Sequence, residues 1–280
     1  MSQRPTRSAP LAAVAALAAA AALSTGASPA AAKDAPSAGK PTIVLVHGAF
    51  ADASSWNGVA GTLRDKGYPV VAVANPLRGV SSDARYTASL LDKIAGPVVL
   101  VGHSYGGSVI SNAAVGNARV KALVYVSAFA PERGESVAEL AGKFPGSTLG
   151  DALAPPVPLP EGGVDLYIDQ DKFRNQFAAD VKPDAARLMA VGQRPVAEAA
   201  LKEPNQGTAW KDHPVFFIYG SADKNIPPAA MAWMAERAQA RRTVVIPSAS
   251  HVPMVSHARE VAALIETAAR TTEAPAAAAQ

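Results

Sequence analysis

Short apolar runs alternate along the chain with longer amphipathic stretches. Six runs of six or seven residues are rich in β-branched side chains and lack an alternation of polar and apolar positions; they lie at residues 42–47, 69–74, 97–102, 122–128, 215–220 and 243–249. Continuous apolar runs of this length are typical of strands buried on both faces of a parallel sheet.

The stretches between these runs have apolar residues at helical spacing. They lie at residues 56–66, 87–94, 107–115, 229–240 and 258–269. Strands that alternate with helices predict right-handed βαβ units. We therefore expect an α/β fold, with a mostly parallel sheet and helices on both of its faces.

The alternation is interrupted once, between Ala128 and Val215. This interval begins with a Pro-rich stretch at 152–160 and continues with helical patterns near 169–179, 183–190 and 195–202. A structureless loop of this length would be unusual in a compact domain. The pattern instead predicts a small helical cap over residues 131–211, inserted into a core made of residues 42–130 and 212–270.

The two ends of the chain differ in composition from the middle. Residues 1–32 combine a basic start, an apolar run and small residues that end at Ala32, which is the layout of a secretory signal peptide. The apolar run is too short to span a bilayer. We expect cleavage near Ala32, a secreted or periplasmic product without a stable membrane anchor, a polar linker at 33–41 and a disordered tail at 271–280.

Charge and cysteine content exclude several classes of protein. The net charge of +3 falls to about +1 if residues 1–32, which carry Arg4 and Arg7, are removed. So small a positive charge gives no support for a nucleic-acid partner. The chain has no cysteine, which excludes disulfides, thiolate-bound metals and a cysteine nucleophile. A body of this length can bury a core without such links.

Ser104 is the candidate nucleophile. It is the central residue of a GxSxG pattern, Gly102–Gly106, which directly follows the third apolar run and precedes a helical stretch. A sharp turn between a buried strand and a helix can lift a serine hydroxyl out of the sheet. The alternative interpretation is a glycine-rich turn without chemistry. A serine hydroxyl is a weak nucleophile, so it needs a base and a group that orients the base.

His251 is the candidate base, because it follows the last apolar run and would stand at the same sheet edge as Ser104. His257 is the reserve, whereas His47 and His103 are expected to support loops. A metal site formed by His251 and His257 is a further alternative, but no carboxylate cluster accompanies it, and we assign no metal.

Asp223 is the candidate acid, since it follows the fifth apolar run within the sequence GSAD. The alternative is an Asp that only caps a turn. Glu132 and Glu135, after the preceding run, are weaker candidates. For the oxyanion, the amide of Tyr105 and an amide of the loop after the first run are expected to be the donors.

Four motifs, HGAF, GHSYGG, GSAD and SH, occur in the order typical of α/β-hydrolases, and the chain resembles that superfamily over residues 42–270. It further resembles the branch that contains plant methylesterases, bacterial esterases and hydroxynitrile lyases. The resemblance implies a cap inserted after the sixth strand of the fold, an acylated Ser104 and oxyanion amides from Ala49 and Tyr105. It also implies that Phe50 is a pocket wall, and we assign Phe129 and Gln193 to the same pocket, although Gln193 could instead anchor the cap.

These observations predict a secreted serine esterase that needs no cofactor and acts on small or medium apolar or aryl esters. Within the branch, lyases typically have Thr at the position of Gly48 and Lys at that of Val252, so hydrolysis is favoured here. Haloperoxidase or lyase activity on the same triad is the alternative within the superfamily. A non-catalytic ligand-binding homologue is the alternative of another class. The oligomeric state is not predicted.

Overall fold

Nine strands form two sheets in residues 39–271, the part of the chain that the computed structural model describes. The strands are β1 (Thr42–Val46), β2 (Val70–Val73), β3 (Val98–His103), β4 (Val120–Val126), β5 (Val157–Pro158), β6 (Val164–Leu166), β7 (Val196–Ala197), β8 (Val215–Gly220) and β9 (Arg242–Ile246). The expected signal peptide lies outside the described residues, as do most of the linker and nearly all of the tail.

The larger sheet confirms the predicted parallel architecture. Its order is β2-β1-β3-β4-β8-β9, and every neighbouring pair is parallel. In β3 and β8 every residue is buried, whereas β9 at one edge is largely exposed. The central strands are therefore covered on both faces, which explains why their sequences are continuously apolar.

Eleven α-helices accompany the strands within the described residues. They are α1 (Asn57–Asp65), α2 (Val80–Leu91), α3 (Gly106–Ala113), α4 (Val137–Gly142), α5 (Leu149–Ala152), α6 (Gln170–Phe177), α7 (Pro183–Gly192), α8 (Glu198–Lys202), α9 (Pro228–Arg237), α10 (Pro253–Ser256) and α11 (Ala258–Arg270). Helix α1 packs beside α11, and α2 packs beside α3.

The start of α2 differs from the sequence prediction. The helix begins at Val80, seven residues before the predicted start at Thr87. Its first turn contains Ser81, Ser82 and Asp83, which are typical of a loop, but Asp83 is completely buried. The burial of this polar residue, and not a helical spacing of apolar residues, thus accounts for the first turn.

Residues 131–211, the segment predicted to form the cap, contain five helices, α4 to α8. They also contain the second sheet, which is antiparallel with the order β5-β6-β7. The sequence pattern predicted helices only, because strands of two or three residues are too short to show a period. In this chain the segment follows β4, the fourth of the described strands. The prediction placed it after the sixth strand because it used the strand numbering of the family that the chain resembles.

Several contacts attach this segment, hereafter the cap, to the large sheet and its helices. Arg78 binds the Asp165 carboxylate at 2.7 Å and the Pro195 carbonyl at 3.0 Å. The amide of Phe50 donates to the Arg194 carbonyl at 3.0 Å. The cap therefore meets the core beside the loops that follow β1 and β2.

Candidate active site

Ser104 lies in the turn between β3 and α3 with a φ of 53°. This left-handed conformation is uncommon for a residue other than glycine, and it stores backbone strain. A Cβ atom at Gly102 would lie 2.6 Å from the Gly106 carbonyl oxygen, and one at Gly106 would lie 2.6 Å from the Val46 carbonyl oxygen. Both glycines of the motif are thus required by close backbone packing.

The backbone of Ser104 is fixed by the segment that follows β4. Its amide donates to the Ser127 carbonyl at 3.1 Å, and its carbonyl accepts from the Phe129 amide at 3.2 Å. Phe129, which we assigned to the pocket, is buried. Its contact with the candidate nucleophile is this backbone hydrogen bond. The turn is consequently held from both sides of the strained residue.

Asp223 and His251 form a buried pair at the ends of β8 and β9. Oδ2 of Asp223 lies 2.7 Å from Nδ1 of His251, and the two side chains are 0% and 1% exposed. Oδ1 of Asp223 accepts from the amides of Asn225 at 2.8 Å and Ile226 at 3.0 Å. Asp223 therefore both caps a turn and orients the histidine. Because an ionised carboxylate only accepts hydrogen bonds, Nδ1 donates the proton in this contact, and in the neutral form of the ring Nε2 is then an acceptor.

The two loops that carry this pair are bonded to each other. The Ser221 amide donates to the Ile246 carbonyl, and the Ala222 amide donates to the Ala249 carbonyl, both at 3.0 Å. A Cβ atom at Gly220 would lie 2.1 Å from the Ala249 carbonyl oxygen. This close approach fixes the separation between the acid and the base.

His103, the neighbour of Ser104, connects the nucleophile turn to the His251 loop. Its Nε2 donates to the His251 carbonyl at 3.0 Å, and the two rings lie 4.8 Å apart. Burial holds the pKa of His103 well below its usual value, so its ring is neutral. As the sequence predicts, its contacts support loops.

His47 has a comparable supporting position. Its Nδ1 donates to the Gly48 carbonyl at 2.9 Å, and its Nε2 accepts from the Asn75 amide at 3.0 Å. Burial lowers its pKa to about 4. The neutral ring therefore joins the loop after β1 to the loop after β2.

The two candidate oxyanion donors lie on adjoining loops. A Cβ atom at Gly48 would lie only 2.6 Å from Cβ of Ser104, so the loop after β1 directly contacts the nucleophile turn. Among residues 39–271, no protein acceptor takes a hydrogen bond from the amide of Ala49 or of Tyr105, whereas the next amide, that of Phe50, binds Arg194. Both amides are available to a developing negative charge.

The Tyr105 side chain has a buried carboxylate partner that the sequence did not reveal. Its hydroxyl donates to Oδ2 of Asp83 at 2.8 Å, and Oδ1 of Asp83 accepts from the Arg78 amide at 3.2 Å. Burial raises the pKa of Asp83. This contact anchors the residue whose amide is a candidate oxyanion donor.

Phe177, at the end of α6 in the cap, covers the candidate base. Its ring lies 5.1 Å from the His251 ring and 6.2 Å from each of the His103 and Phe50 rings. Phe177 and Phe173, one helical turn earlier, are both buried. Phe177 packs against the site itself, a contact that no motif indicated.

The other two predicted pocket residues lie beside a cleft of about 280 Å³ between α7 and residues 50–58. Phe50 lines it together with Leu188, Met189 and Gln193. The Gln193 amide is already bound within the cap, because its oxygen accepts from the Ile168 amide and its nitrogen donates to the Ile168 carbonyl, both at 2.8 Å. The structure thus places Gln193 as a cap anchor as well as a wall of the cleft.

The reserve candidates have other partners. Glu132 forms an ion pair with Lys211, and Glu135 lies 2.9 Å from Arg237. His257 lies 3.3 Å from Oδ2 of Asp180. Within the described part of the chain, no group of three His, Asp or Glu side chains could hold a metal ion.

Known proteins match this chain over most of its length. The model of the alpha/beta hydrolase family matches residues 43–264. An alpha/beta hydrolase of Aspergillus novofumigatus is 28% identical, covering 82% of this chain and 97% of its own. A pimeloyl-[acyl-carrier protein] methyl ester esterase of Aeromonas hydrophila is 27% identical, covering 81% and 94%. The crystal structure of polyneuridine aldehyde esterase superposes with a TM-score of 0.70 at 21% identity, covering 81% and 98%.

Proposed function

Because the chain belongs to the alpha/beta hydrolase family, we propose that it is a serine esterase that cleaves carboxylic esters through an acyl-enzyme. The observation that carries the proposal is the buried Asp223–His251 pair at 2.7 Å, on loops that lie against the strained turn of Ser104. A buried pair of this kind orients an imidazole as a general base.

In the proposed reaction, Nε2 of His251 takes the hydroxyl proton of Ser104 as the oxygen attacks the ester carbonyl. Asp223 holds the tautomer and stabilises the imidazolium that forms. The amides of Ala49 and Tyr105 donate to the oxyanion, and His251 then protonates the departing alcohol. Water activated by the same histidine releases the acid and restores Ser104.

Small or medium apolar or aryl esters are the proposed substrates. The support is the cleft next to the oxyanion loop, where Phe50, Leu188 and Met189 supply apolar walls; Ser104 and His251 do not line this cleft themselves. The Aeromonas relative is named for the cleavage of a methyl ester, which agrees with ester chemistry. Gly48 and Val252 stand where lyases of the branch have Thr and Lys, so the proposal is hydrolysis rather than cyanohydrin cleavage.

The first test is Ser104→Ala. Since the variant lacks the proposed nucleophile, turnover of a short nitrophenyl ester should be abolished while thermal unfolding is unchanged. A fluorophosphonate should label the wild-type protein and leave the variant unlabelled. If the variant keeps more than a few per cent of the activity, Ser104 is not the nucleophile. If the wild-type protein hydrolyses no ester and takes no label, the chain is a binding homologue rather than a catalyst.

Export is a separate proposal, based on residues 1–32 alone. Expressed with its full sequence in a bacterial host, the protein should be recovered outside the cytoplasm with Lys33 as its first residue. Mass spectrometry of the recovered protein measures this. Recovery only from the cytoplasm, with residues 1–32 still attached, would refute the proposal.

A further inference from the structure

One short stretch of the cap, residues 176–180 at the end of α6, contacts both loops that carry the acid–base pair. Gln176 reaches the Asp223 loop, Phe177 covers the His251 ring, and Asp180 reaches the residue before His251. We call residues 176–180 the α6 end. Three contacts of different chemistry thus converge on the two loops that carry the acid–base pair.

Gln176 is buried and bonded to the two residues that follow Asp223. Its Nε2 donates to the Lys224 carbonyl at 2.9 Å and to Oδ1 of Asn225 at 3.1 Å, and Nδ2 of Asn225 donates back to the Gln176 carbonyl at 3.3 Å. The Asn225 amide is one of the two donors that orient the Asp223 carboxylate. Gln176 therefore holds one of the two residues whose amides orient the acid.

Asp180 holds the other loop through Ser250. Oδ1 of Asp180 accepts from the Ser250 hydroxyl, and Ser250 is 2% exposed. Its other oxygen lies 3.3 Å from Nε2 of His257, which precedes α11. Because Ser250 precedes His251 directly in the chain, this contact limits the displacement of the His251 backbone.

Phe177 restricts the imidazole from the side. Its ring meets the His251 ring edge-on at 5.1 Å, and it also touches the ring of His103. A buried ring at this distance prevents the imidazole from swinging towards the cap. The α6 end therefore restrains both the ring of His251 and the residue before it, Ser250.

We propose that the α6 end is a positioning element for the reaction. In this role Gln176 and Asp180 hold Asp223 and His251 in the positions from which the histidine can activate Ser104. The inference rests on the proposed function, since it concerns the same triad. Neither residue touches the substrate in this proposal. They act through Asn225 and Ser250, so their effect falls on the rate of the chemical step and not on ester binding.

Three variants test this, namely Gln176→Met, Asp180→Ala and Asp180→Asn. Met preserves the length of Gln176 but donates no hydrogen bond, and Ala removes the acceptor for Ser250. A displacement of about 1 Å in a catalytic group can cost about 100-fold in rate. We expect kcat for a nitrophenyl ester to fall about 10- to 100-fold in the first two variants, with KM within about two-fold. Asp180→Asn keeps an oxygen that can accept from Ser250, so it should recover most of kcat.

The control is Asp165→Asn, which weakens another contact between cap and core, the 2.7 Å ion pair of Asp165 with the partly exposed Arg78. This contact lies away from both loops of the acid–base pair. The control should lose up to about 1 kcal/mol in urea unfolding but keep kcat within about two-fold. If the control loses kcat as much as the α6-end variants, the effect is general loosening of the cap and the inference is wrong.

The rate of fluorophosphonate labelling distinguishes a failure of the proposed function from a failure of the positioning role. This small probe reports how well His251 activates Ser104, and we expect its rate to fall in parallel with kcat. If the wild-type protein is not labelled at Ser104, the proposed function itself fails. If the wild-type protein is labelled but Gln176→Met and Asp180→Ala react at the same rate, the proposed function stands and the positioning role is refuted.

Discussion

The carboxylate of Asp223 has a different partner on each oxygen, and this division leads to a prediction. In Asp223→Asn, Oδ1 can still accept from the turn amides, but the amide nitrogen would donate towards Nδ1 of His251. The proton of the ring would then move to Nε2, where the base must be free. We expect kcat to fall by up to about 10⁴-fold with an unchanged fold, as measured by ester turnover and circular dichroism.

The control for this prediction is Glu132→Gln, because Glu132 is the alternative acid and pairs with Lys211. Its kcat should stay at the wild-type value. A greater loss in Glu132→Gln than in Asp223→Asn would mean that the wrong carboxylate has been assigned.

Sequence reasoning brought Ser104, Asp223 and His251 forward because each lies next to an apolar run and within a short motif. It did not find Asp83 or Asp180, whose partners are distant along the chain: Asp83 binds Tyr105, and Asp180 binds Ser250 from 70 residues away. A single sequence contains no local signal for such pairs. Residues that hold a site together across elements are therefore harder to predict than those that form it.

Among the elements, the contact between α3 and the segment after β4 is unusually close. A Cβ atom at Gly107 would lie 2.1 Å from the Phe129 carbonyl oxygen. Gly107→Ala should therefore destabilise the protein by about 1–3 kcal/mol through overpacking, although alanine is the better helix former. Urea unfolding measures the loss.

Gly142→Ala is the matched control for the helix. Gly142 is the last residue of α4, and a Cβ atom there would meet nothing within 4 Å. This variant should be neutral or slightly more stable. Equal stabilities for Gly107→Ala and Gly142→Ala would contradict the proposed packing constraint.

The strands of the large sheet were predicted within about three residues because each is a continuous apolar run with a distinct start. Where packing depends on single polar contacts, the prediction was poorer. The first turn of α2 and the strands β5 to β7 have no period that a sequence pattern could detect. Burial on both faces, rather than intrinsic propensity, is what made the central sheet predictable.

At the scale of the whole molecule, a buried neutral histidine couples stability to pH. The pKa of His47 is lowered from 6.5 to about 4 in the folded chain, so between these values the unfolded chain binds more protons. Stability must therefore fall as the pH falls through this range. With about 1.4 kcal/mol for each pH unit below 6.5, His47 alone should reduce the free energy of unfolding by about 2 kcal/mol between pH 8 and pH 5.

Urea unfolding of the wild-type protein and of His47→Gln at the two pH values measures this contribution. Glutamine cannot take up a proton, so the decrease in stability should be smaller in the variant by about that amount. Identical decreases in the two proteins would show that His47 does not contribute to the acid sensitivity.

The contact between the loop after β1 and the nucleophile turn also constrains how this fold could change its chemistry. At position 48, any side chain would place a Cβ atom 2.6 Å from Cβ of Ser104 and 2.8 Å from the His103 carbonyl oxygen. The threonine typical of the lyase branch does not fit that gap, so introducing it alone would displace Ser104, the proposed nucleophile. The order of substitutions is thus restricted: the loop must first move away from the turn, and only then can position 48 vary.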